Sequence, residues 1–339
     1  MTELARQIVL ASRPHGRPAP ENFRLETVPM PVPGAGELLL KVRYLSLDPY
    51  MRGRMSEAKS YAAPVPVGGV MEGGTVAEVV ESRRPDFAPG DLVLSYSGWR
   101  SHALSDGTGL VRLDPAEAPV TTALGVLGMP GFTAYAGLKI IGQPKAGETV
   151  VVAAASGPVG SAVGQIARIR GARAVGIAGG ARKCALLREA FGFDVAVDHR
   201  SPTFAADLKA ACPDGVDVYF ENVGGAVWDA VWPLLNRFAR VPVCGLVAQY
   251  NATGPAAGPD RLPQLMRDIL TRSLTVRGFI QRDFAAAEMP AFREEMGLWV
   301  ADGRVRYQED IVAGLEAAPE ALIGLLEGRN FGKLIVAVA

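Results

Sequence analysis

One stretch decides the fold of this chain: residues 150–161, which read Val150-Val151-Val152-Ala153-Ala154-Ala155-Ser156-Gly157-Pro158-Val159-Gly160-Ser161. Its first five residues are apolar, as in a parallel strand that is buried on both faces. The next six match the pattern G-x-G-x-x-G at its second and third glycines, with Ala155 in the place of the first. Proline at 158 suits the first turn of a helix, where a missing N–H costs little. The stretch therefore predicts a strand, a tight turn and a helix in succession.

A turn of this kind can hold a dinucleotide. A side chain at the second glycine would obstruct the pyrophosphate, and one at the third would keep the helix away from the strand. The helix N-terminus offers free N–H groups and a positive dipole end to the phosphates. A tight turn without a ligand would use glycines too, but the position inside several βα units favours dinucleotide binding. The predicted phosphate-loop residues are Gly157, Pro158, Val159 and Gly160.

The region around this loop alternates between strands and helices. Apolar, strand-like segments are followed by helical ones at the spacing of βα units, which predicts a doubly wound parallel sheet with right-handed crossovers. The further predicted strands are residues 173–178, 194–197, 216–220 and 240–244, and the predicted helices are residues 159–170 and 182–190.

The first part of the chain is rich in β-strands instead. Short strand-forming segments at 38–44, 75–80 and 92–94 are separated by turn signals, which favours a small barrel or sandwich. The final residues, 333–338, again look like a strand. We therefore predict two domains, with residues 304–339 returning to the domain of residues 1–126 and residues 127–303 forming the nucleotide-binding domain.

The residues after the second strand of that domain indicate which dinucleotide is used. NAD sites place an acidic residue there to hold the ribose 2′-hydroxyl. Here residues 178–183 read Ala178-Gly179-Gly180-Ala181-Arg182-Lys183 and contain no acid. A solvated helix start would also carry such cations, but cations at a helix N-terminus oppose its dipole. We predict NADP(H), with Lys183 as the main ligand of the 2′-phosphate and Arg182 and Arg200 as weaker candidates.

Composition excludes several other classes of protein. Lys and Arg number 35, as do Asp and Glu, so the net charge is zero and broad binding to nucleic acid or anionic membranes is not expected. The three cysteines lie far apart and only three histidines occur, so no zinc ligand set is predicted. No apolar run is long enough to span a membrane, and residues 1–10 lack a signal-peptide core. We expect a metal-free, cytoplasmic protein.

These motifs together resemble the zinc-independent branch of the medium-chain dehydrogenase/reductase superfamily, which includes prostaglandin reductases, plant alkenal reductases and bacterial curcumin reductases. The resemblance runs from about residue 20 to the C-terminus. It implies a GroES-like catalytic domain packed on a Rossmann domain, an active site in the cleft between them, and a homodimer. Besides the glycine loop it rests on residues 48–52, 128–135, 221–225 and 330–333.

The resemblance also implies further contacts with the cofactor. His199 takes the place of a tyrosine that family members often set against the adenosine ribose-phosphate. No tyrosine follows Gly278-Phe279-Ile280, where some family reductases carry one that acts on the substrate carbonyl. Besides the phosphate loop, the implied cofactor-binding residues are Lys183, His199, Asn222, Cys244, Tyr250, Phe279, Ile280 and Asn330.

The expected activity is NADPH-dependent reduction of the carbon–carbon double bond of α,β-unsaturated ketones and aldehydes. Hydride would add to the β-carbon, and a hydrogen-bond donor must then meet the negative charge that develops on the carbonyl oxygen. Tyr50 is the first candidate donor because its neutral phenol follows the turn Asp48-Pro49, and Tyr250 is the second. Two alternatives stay open: a quinone or secondary-alcohol oxidoreductase on the same fold, and a non-catalytic NADPH-binding protein.

Overall fold

The computed structural model describes residues 4–254 and 258–338. Its strands are β1 (Leu4–Leu10), β2 (Phe23–Pro29), β3 (Leu38–Ser46), β4 (Thr75–Ser82), β5 (Leu92–Ser95), β6 (His102–Ser105), β7 (Val111–Leu113), β8 (Thr149–Val152), β9 (Arg173–Ala178), β10 (Val195–Asp198), β11 (Val216–Phe220), β12 (Leu235–Val243), β13 (Thr275–Gly278), β14 (Glu309–Ala313) and β15 (Lys333–Ala337).

The α-helices are α1 (Met51–Arg54), α2 (Met129–Ala136), α3 (Pro158–Ile169), α4 (Ala181–Glu189), α5 (Phe204–Ala211), α6 (Gly225–Val231), α7 (Leu262–Arg272), α8 (Arg282–Ala301) and α9 (Ala318–Leu326). A π-helical segment, Gly137–Gly142, continues α2. Within the two described ranges, no helix combines the length and the apolar character needed to cross a bilayer.

The chain divides into two compact units. The first contains the chain up to Gly125 and from Glu309 onward, and the second runs from Val126 to Gln308. The sequence predicted domain boundaries after residues 126 and 303. The second boundary lies further along the chain in the structure, because Val305 is buried in the core of the second unit and the Arg306 N–H donates to Gln165 Oε1 at 2.7 Å.

The first unit is built on a mainly antiparallel sheet. The strand order is β14-β15-β3-β4-β5-β7, with β6 paired to β3, and β1 and β2 form a separate antiparallel pair. The tail strand β15 pairs with β3 and places Ile335 opposite Ser46. The tail therefore returns to the N-terminal unit.

The second unit contains a six-stranded sheet in the order β10-β9-β8-β11-β12-β13, and each neighbouring pair is parallel. If β8 to β13 are numbered 1 to 6 in chain order, the strands lie in the order 3-2-1-4-5-6, which is that of doubly wound dinucleotide-binding folds. The strand order reverses between β8 and β11. Ligands of such sheets bind at the carboxyl ends of the strands at this reversal.

Strand β8 lies at the centre of this sheet and is covered on both faces. Val150 and Val152 belong to one buried apolar cluster, and Val151 and Ala153 belong to another. This alternation explains why the sequence of β8 is apolar at every position. The predicted fold class, a GroES-like β-rich domain plus a Rossmann domain, is confirmed.

Candidate active site and cofactor site

The loop after β8 has the geometry that the glycine pattern predicts. Gly157 is the residue before α3, Pro158 is the first helical residue, and the Gly157 N–H donates to Ala154 O at 3.0 Å. Val159 and Gly160 lie in the first turn, where N–H groups have no partner within the helix. The four predicted phosphate-loop residues therefore surround the positive end of α3.

The two glycines have different environments. A Cβ built on Gly160 would lie 2.5 Å from Ala154 O and 2.7 Å from the Ala155 Cα, so this glycine lets the helix approach the strand. A Cβ on Gly157 would meet only Ala154 O, at 3.4 Å. The space beside Gly157 is thus open on the side of the helix N-terminus. This open cradle fits a pyrophosphate.

The sharp turn that the first glycine normally makes is made by an alanine. Ala154 has φ of 51°, in the left-handed region that L-residues seldom adopt. Ala155, aligned with that first glycine, instead continues the edge of the sheet, and its N–H donates to Ile177 O at 2.9 Å. The sequence pattern did not reveal this displacement by one residue, because a left-handed alanine carries no compositional signal.

Basic side chains gather where β9 ends. A Cβ on Gly179 would lie 2.8 Å from Arg200 Nε and 2.9 Å from His199 Nε2, so both side chains lie over this glycine. Lys183, in the first turn of α4, is only 8% exposed, whereas Arg182 is exposed. Loss of solvent around the ring and then the Arg200 charge lower the pKa of His199, and Lys183 adds to this effect. The charges of Lys183 and Arg200, with the His199 ring beside them, form a cationic cluster suited to a phosphate.

An acid does lie close to this cluster, at the end of β10. Asp198 Oδ1 accepts the N–H groups of Gly180 at 2.8 Å and Arg200 at 2.9 Å. Desolvation acts to raise the pKa of Asp198, but these bonds and the neighbouring positive charge together lower it below its ordinary value. This oxygen supports the backbone of both loops. The segment after β9, where an NAD-binding acid would stand, is Gly179-Gly180.

Asn222 joins the two loops that leave the sheet at its reversal. Its Nδ2 donates to Ala153 O at 2.8 Å, which ties the loop after β11 to the loop after β8. Glu221 is fully buried, accepts the N–H groups of Val223 and Gly224, and receives the Tyr219 hydroxyl. Burial raises the pKa of Glu221 despite these bonds. Glu221 is not among the predicted site residues, although it begins the motif of residues 221–225.

The loop after β12 holds two more of the predicted residues. The Cys244 N–H donates to Glu221 O at 2.9 Å, and burial followed by the Glu221 charge raises the pKa of its thiol to about 12. A thiol with this pKa is a packing group rather than a nucleophile. A Cβ on Gly245 would lie 3.2 Å from Tyr250 Oη, which places that hydroxyl over the start of the loop.

Phe279 and Ile280 follow β13. The Phe279 N–H donates to Val243 O at 3.3 Å, and its ring packs edge-on against Phe220 with centroids 6.1 Å apart. Ile280 O accepts the N–H of Asp283 as α8 begins. All these loops follow the carboxyl ends of parallel strands, so the predicted cofactor residues of the second unit share one edge of the sheet.

The remaining two predicted residues belong to the first unit. Tyr50 is the residue before the short helix α1, and the Arg54 guanidinium lies 5.5 Å from the centroid of its ring. Burial, then the charge of Asp48, raises the pKa of Tyr50 well above its ordinary value. Asn330 Nδ2 donates to Gly332 O at 2.8 Å and so shapes its own turn.

Two family descriptions match the chain. Residues 6–113 match "N-terminal domain of oxidoreductase", and residues 158–296 match "Zinc-binding dehydrogenase". Over residues 4–254 and 258–338, no group of three or more His, Cys, Asp or Glu side chains is placed to hold a metal ion.

Individual relatives match almost the whole chain. The NADPH-dependent curcumin reductase of Escherichia coli is 57% identical, covering 98% of this chain and 97% of the relative. The NADP(+)-dependent 2-alkenal reductase of Nicotiana tabacum is 39% identical, covering 98% and 97%. The crystal structure of CurA from Vibrio vulnificus in complex with NADPH is 53% identical and superposes with a TM-score of 0.95 over 98% of this chain and 99% of that one.

The chain therefore belongs to the zinc-independent medium-chain dehydrogenases/reductases, a family of NADP-dependent oxidoreductases. The family and the enzyme class predicted from the sequence motifs are confirmed, and so is NADP(H) as the cofactor of the family.

Proposed function

We propose that this protein reduces the carbon–carbon double bond of α,β-unsaturated ketones and aldehydes with NADPH, and that it does so without a metal ion. The observation that carries the proposal is the pairing of an open glycine cradle at Gly157 with a cationic cluster at the end of β9. Two relatives support the substrate class: one is named a curcumin reductase, and the other a 2-alkenal reductase.

The residues of the second unit bind and orient the cofactor. The N-terminus of α3 would hold the pyrophosphate, and Lys183, His199 and Arg200 would hold the 2′-phosphate. Asn222 keeps the loops after β8 and β11 together, so the nicotinamide end of the site has a defined backbone. Bound NADPH supplies the hydride that adds to the β-carbon of the substrate.

Tyr50 supplies the hydrogen-bond donor. Its raised pKa keeps the phenol protonated at every ordinary assay pH, so the hydroxyl can donate to the carbonyl oxygen as negative charge develops there. The phenol acts here as a hydrogen-bond donor to the oxygen, and we assign protonation of the α-carbon to water. Tyr250 is the second candidate, since its hydroxyl lies over the loop after β12.

A substrate panel tests the function. NADPH and then NADH are offered with enones, enals, quinones and simple ketones in the presence of EDTA, and the reaction is followed at 340 nm. Activity on enones and enals, with simple ketones inert, supports the proposal. Activity confined to quinones or secondary alcohols would favour the oxidoreductase alternative. Tight NADPH binding without turnover of any substrate would favour a non-catalytic binding protein.

Single-atom substitutions test the donor. Tyr50→Phe keeps the ring, so NADPH affinity should hardly change while kcat and kcat/KM fall together. Losing one oxyanion donor costs about 10²- to 10³-fold elsewhere. We expect roughly 10- to 100-fold here, because water can replace the phenol. Tyr250→Phe is made in parallel. If Tyr50→Phe changes kcat less than twofold while a deuterium isotope effect shows hydride transfer to be rate-limiting, Tyr50 only packs.

We further propose that the protein is a homodimer that associates through the edge of the second unit. The edge strand β13 is exposed along its whole length, and α7 exposes Leu262, Met266 and Leu270, the last at 79%. Apolar surface of this kind next to a strand edge commonly marks an interface. Light scattering should give twice the chain mass for the wild type and for Leu298→Glu, an exposed leucine on α8, but a single chain mass for Leu270→Glu.

A further inference from the structure

Two separate sequence motifs of the first unit meet in a buried ion pair. Lys333 Nζ lies 3.1 Å from Asp48 Oδ1, and the two side chains are 3% and 8% exposed. Lys333 begins β15, three residues after Asn330, and Asp48 follows β3, two residues before Tyr50. The ion pair therefore links the segments that carry both predicted site residues of this unit.

The ammonium group of Lys333 holds the backbone as well as the carboxylate. Besides Asp48 it donates to Leu47 O at 2.6 Å and to Leu334 O at 3.0 Å, so all three of its protons are used. The second carboxylate oxygen of Asp48 accepts the Ser46 hydroxyl, and Asp48 O accepts the Met51 N–H at 3.1 Å. The turn from which Tyr50 projects is thus held from both sides.

The pair also balances charge beside Tyr50. Burial lowers the pKa of Lys333, and the nearby charges of Asp48 and Glu309 oppose that shift. The Asp48 charge also helps to raise the pKa of Tyr50. Without the ammonium, the field of Asp48 at the phenol would be stronger, and the phenol would be a weaker hydrogen-bond donor.

We propose that Lys333 is the positioning residue of Tyr50: through Asp48 and Leu47 it fixes the turn that presents the phenol, and it neutralises the carboxylate next to it. This inference rests on the proposed function, because it assumes that the Tyr50 hydroxyl meets the substrate. Stability alone does not account for the pair, since apolar side chains of similar volume commonly stabilise a core at least as well as a buried ion pair.

Three variants separate positioning from a general structural role. Lys333→Met keeps the length of the side chain but leaves Asp48 buried without its counter-charge. Lys333→Met combined with Asp48→Asn removes both charges, so it should fold even if the single variant does not. Arg240→Met is the matched control, because Arg240 forms a half-buried ion pair with Glu148 in the second unit, away from the predicted site residues.

The kinetic test is a double-mutant cycle with Tyr50→Phe. We expect both Lys333 variants to lower kcat by roughly the same factor as Tyr50→Phe, about 10- to 100-fold, with little change in the Kd for NADPH. In the Tyr50→Phe background they should cause no further loss beyond twofold. Arg240→Met should leave kcat unchanged. The proposal would be overturned if the Lys333 substitutions lowered kcat by the same factor with and without Tyr50→Phe. It would also be overturned if kcat were unchanged in both Lys333 variants.

A second measurement does not depend on turnover. The N–H groups of Met51, Arg52 and Gly53 donate to the carbonyls of Asp48, Pro49 and Tyr50. Hydrogen–deuterium exchange over residues 47–54 should become at least about tenfold faster in both Lys333 variants and stay unchanged in Arg240→Met. Unchanged exchange in the Lys333 variants would refute the anchoring role. If Tyr50→Phe is itself fully active, the donor and positioning roles both fail, while enone reduction by the wild type would leave the proposed function standing.

Discussion

Two glycines of one loop provide a matched pair of substitutions with opposite expected effects. Gly160→Ala places a methyl group 2.5 Å from Ala154 O and 2.7 Å from the Ala155 Cα, distances at which the backbone must move. Gly157→Ala places its methyl 3.4 Å from Ala154 O, an ordinary contact. Gly157 has φ of −79°, which alanine adopts freely. The first substitution should disturb the fold, and the second only the ligand.

The magnitudes follow from these distances. Overpacking costs ~1–3 kcal/mol, and the upper end applies to Gly160→Ala because both opposing atoms belong to the backbone. Within a helix, alanine stabilises the folded state by about 0.5–1 kcal/mol relative to glycine. Subtracting this from the overpacking cost leaves a net destabilisation of about 2 kcal/mol. For a domain of this size the melting temperature should fall by roughly 4–8 °C. Gly157→Ala should melt within about 2 °C of the wild type.

Cofactor binding should respond in the opposite order. A methyl at Gly157 stands where the pyrophosphate approaches the helix N-terminus, and loss of one charge-assisted hydrogen bond costs about 1.5–3 kcal/mol, or about 10- to 150-fold in Kd. Because the pyrophosphate is common to both dinucleotides, the affinities for NADPH and NADH should fall by the same factor.

The assays are thermal unfolding of the ligand-free protein by circular dichroism and titration of nicotinamide fluorescence. A wild-type Kd for Gly157→Ala would show that no phosphate approaches this glycine. A wild-type melting temperature for Gly160→Ala would refute the requirement for close approach of α3 to β8.

Two further predictions concern the cationic cluster at the end of β9. Lys183→Ala should raise the Kd for NADPH by about 10- to 150-fold and leave the Kd for NADH within about twofold, because only NADPH carries the 2′-phosphate; equal losses for both cofactors would place Lys183 elsewhere. The pKa of His199 is lowered in the free protein, so its ring is neutral near pH 7, and an adjacent phosphate dianion should raise that pKa. NADPH binding should therefore take up a proton, and affinity should rise as the pH falls from 8 towards 6.5, by up to about tenfold per pH unit. Calorimetry in two buffers of different ionisation enthalpy measures this uptake, which should be absent with NADH and in His199→Gln; uptake that persists in His199→Gln would assign the proton to another group.

The sequence alone determined the features that arise from neighbouring residues. The predicted strands 173–178 and 216–220 coincide with β9 and β11, where residues 174–178 and 218–220 are buried and carry no charge, as a strand covered on both faces requires. The turn into α3 was equally predictable, since Pro158 suits the first position of a helix and Gly160 allows the helix to approach the strand. The missing acid after β9 likewise indicated the cofactor, because that position follows directly from the βα unit.

Only the tertiary structure decided the contacts between distant segments. The left-handed turn falls on Ala154, which a pattern built on glycine cannot show. Arg200 lies over Gly179 because β10 pairs with β9, and Lys333 meets Asp48 across 285 residues because β15 pairs with β3. A lysine is ordinarily an exposed residue, so its sequence context gives no sign of burial. Whether its charge is buried beside a carboxylate depends on which strands become neighbours, and that is settled by the packing of the whole unit.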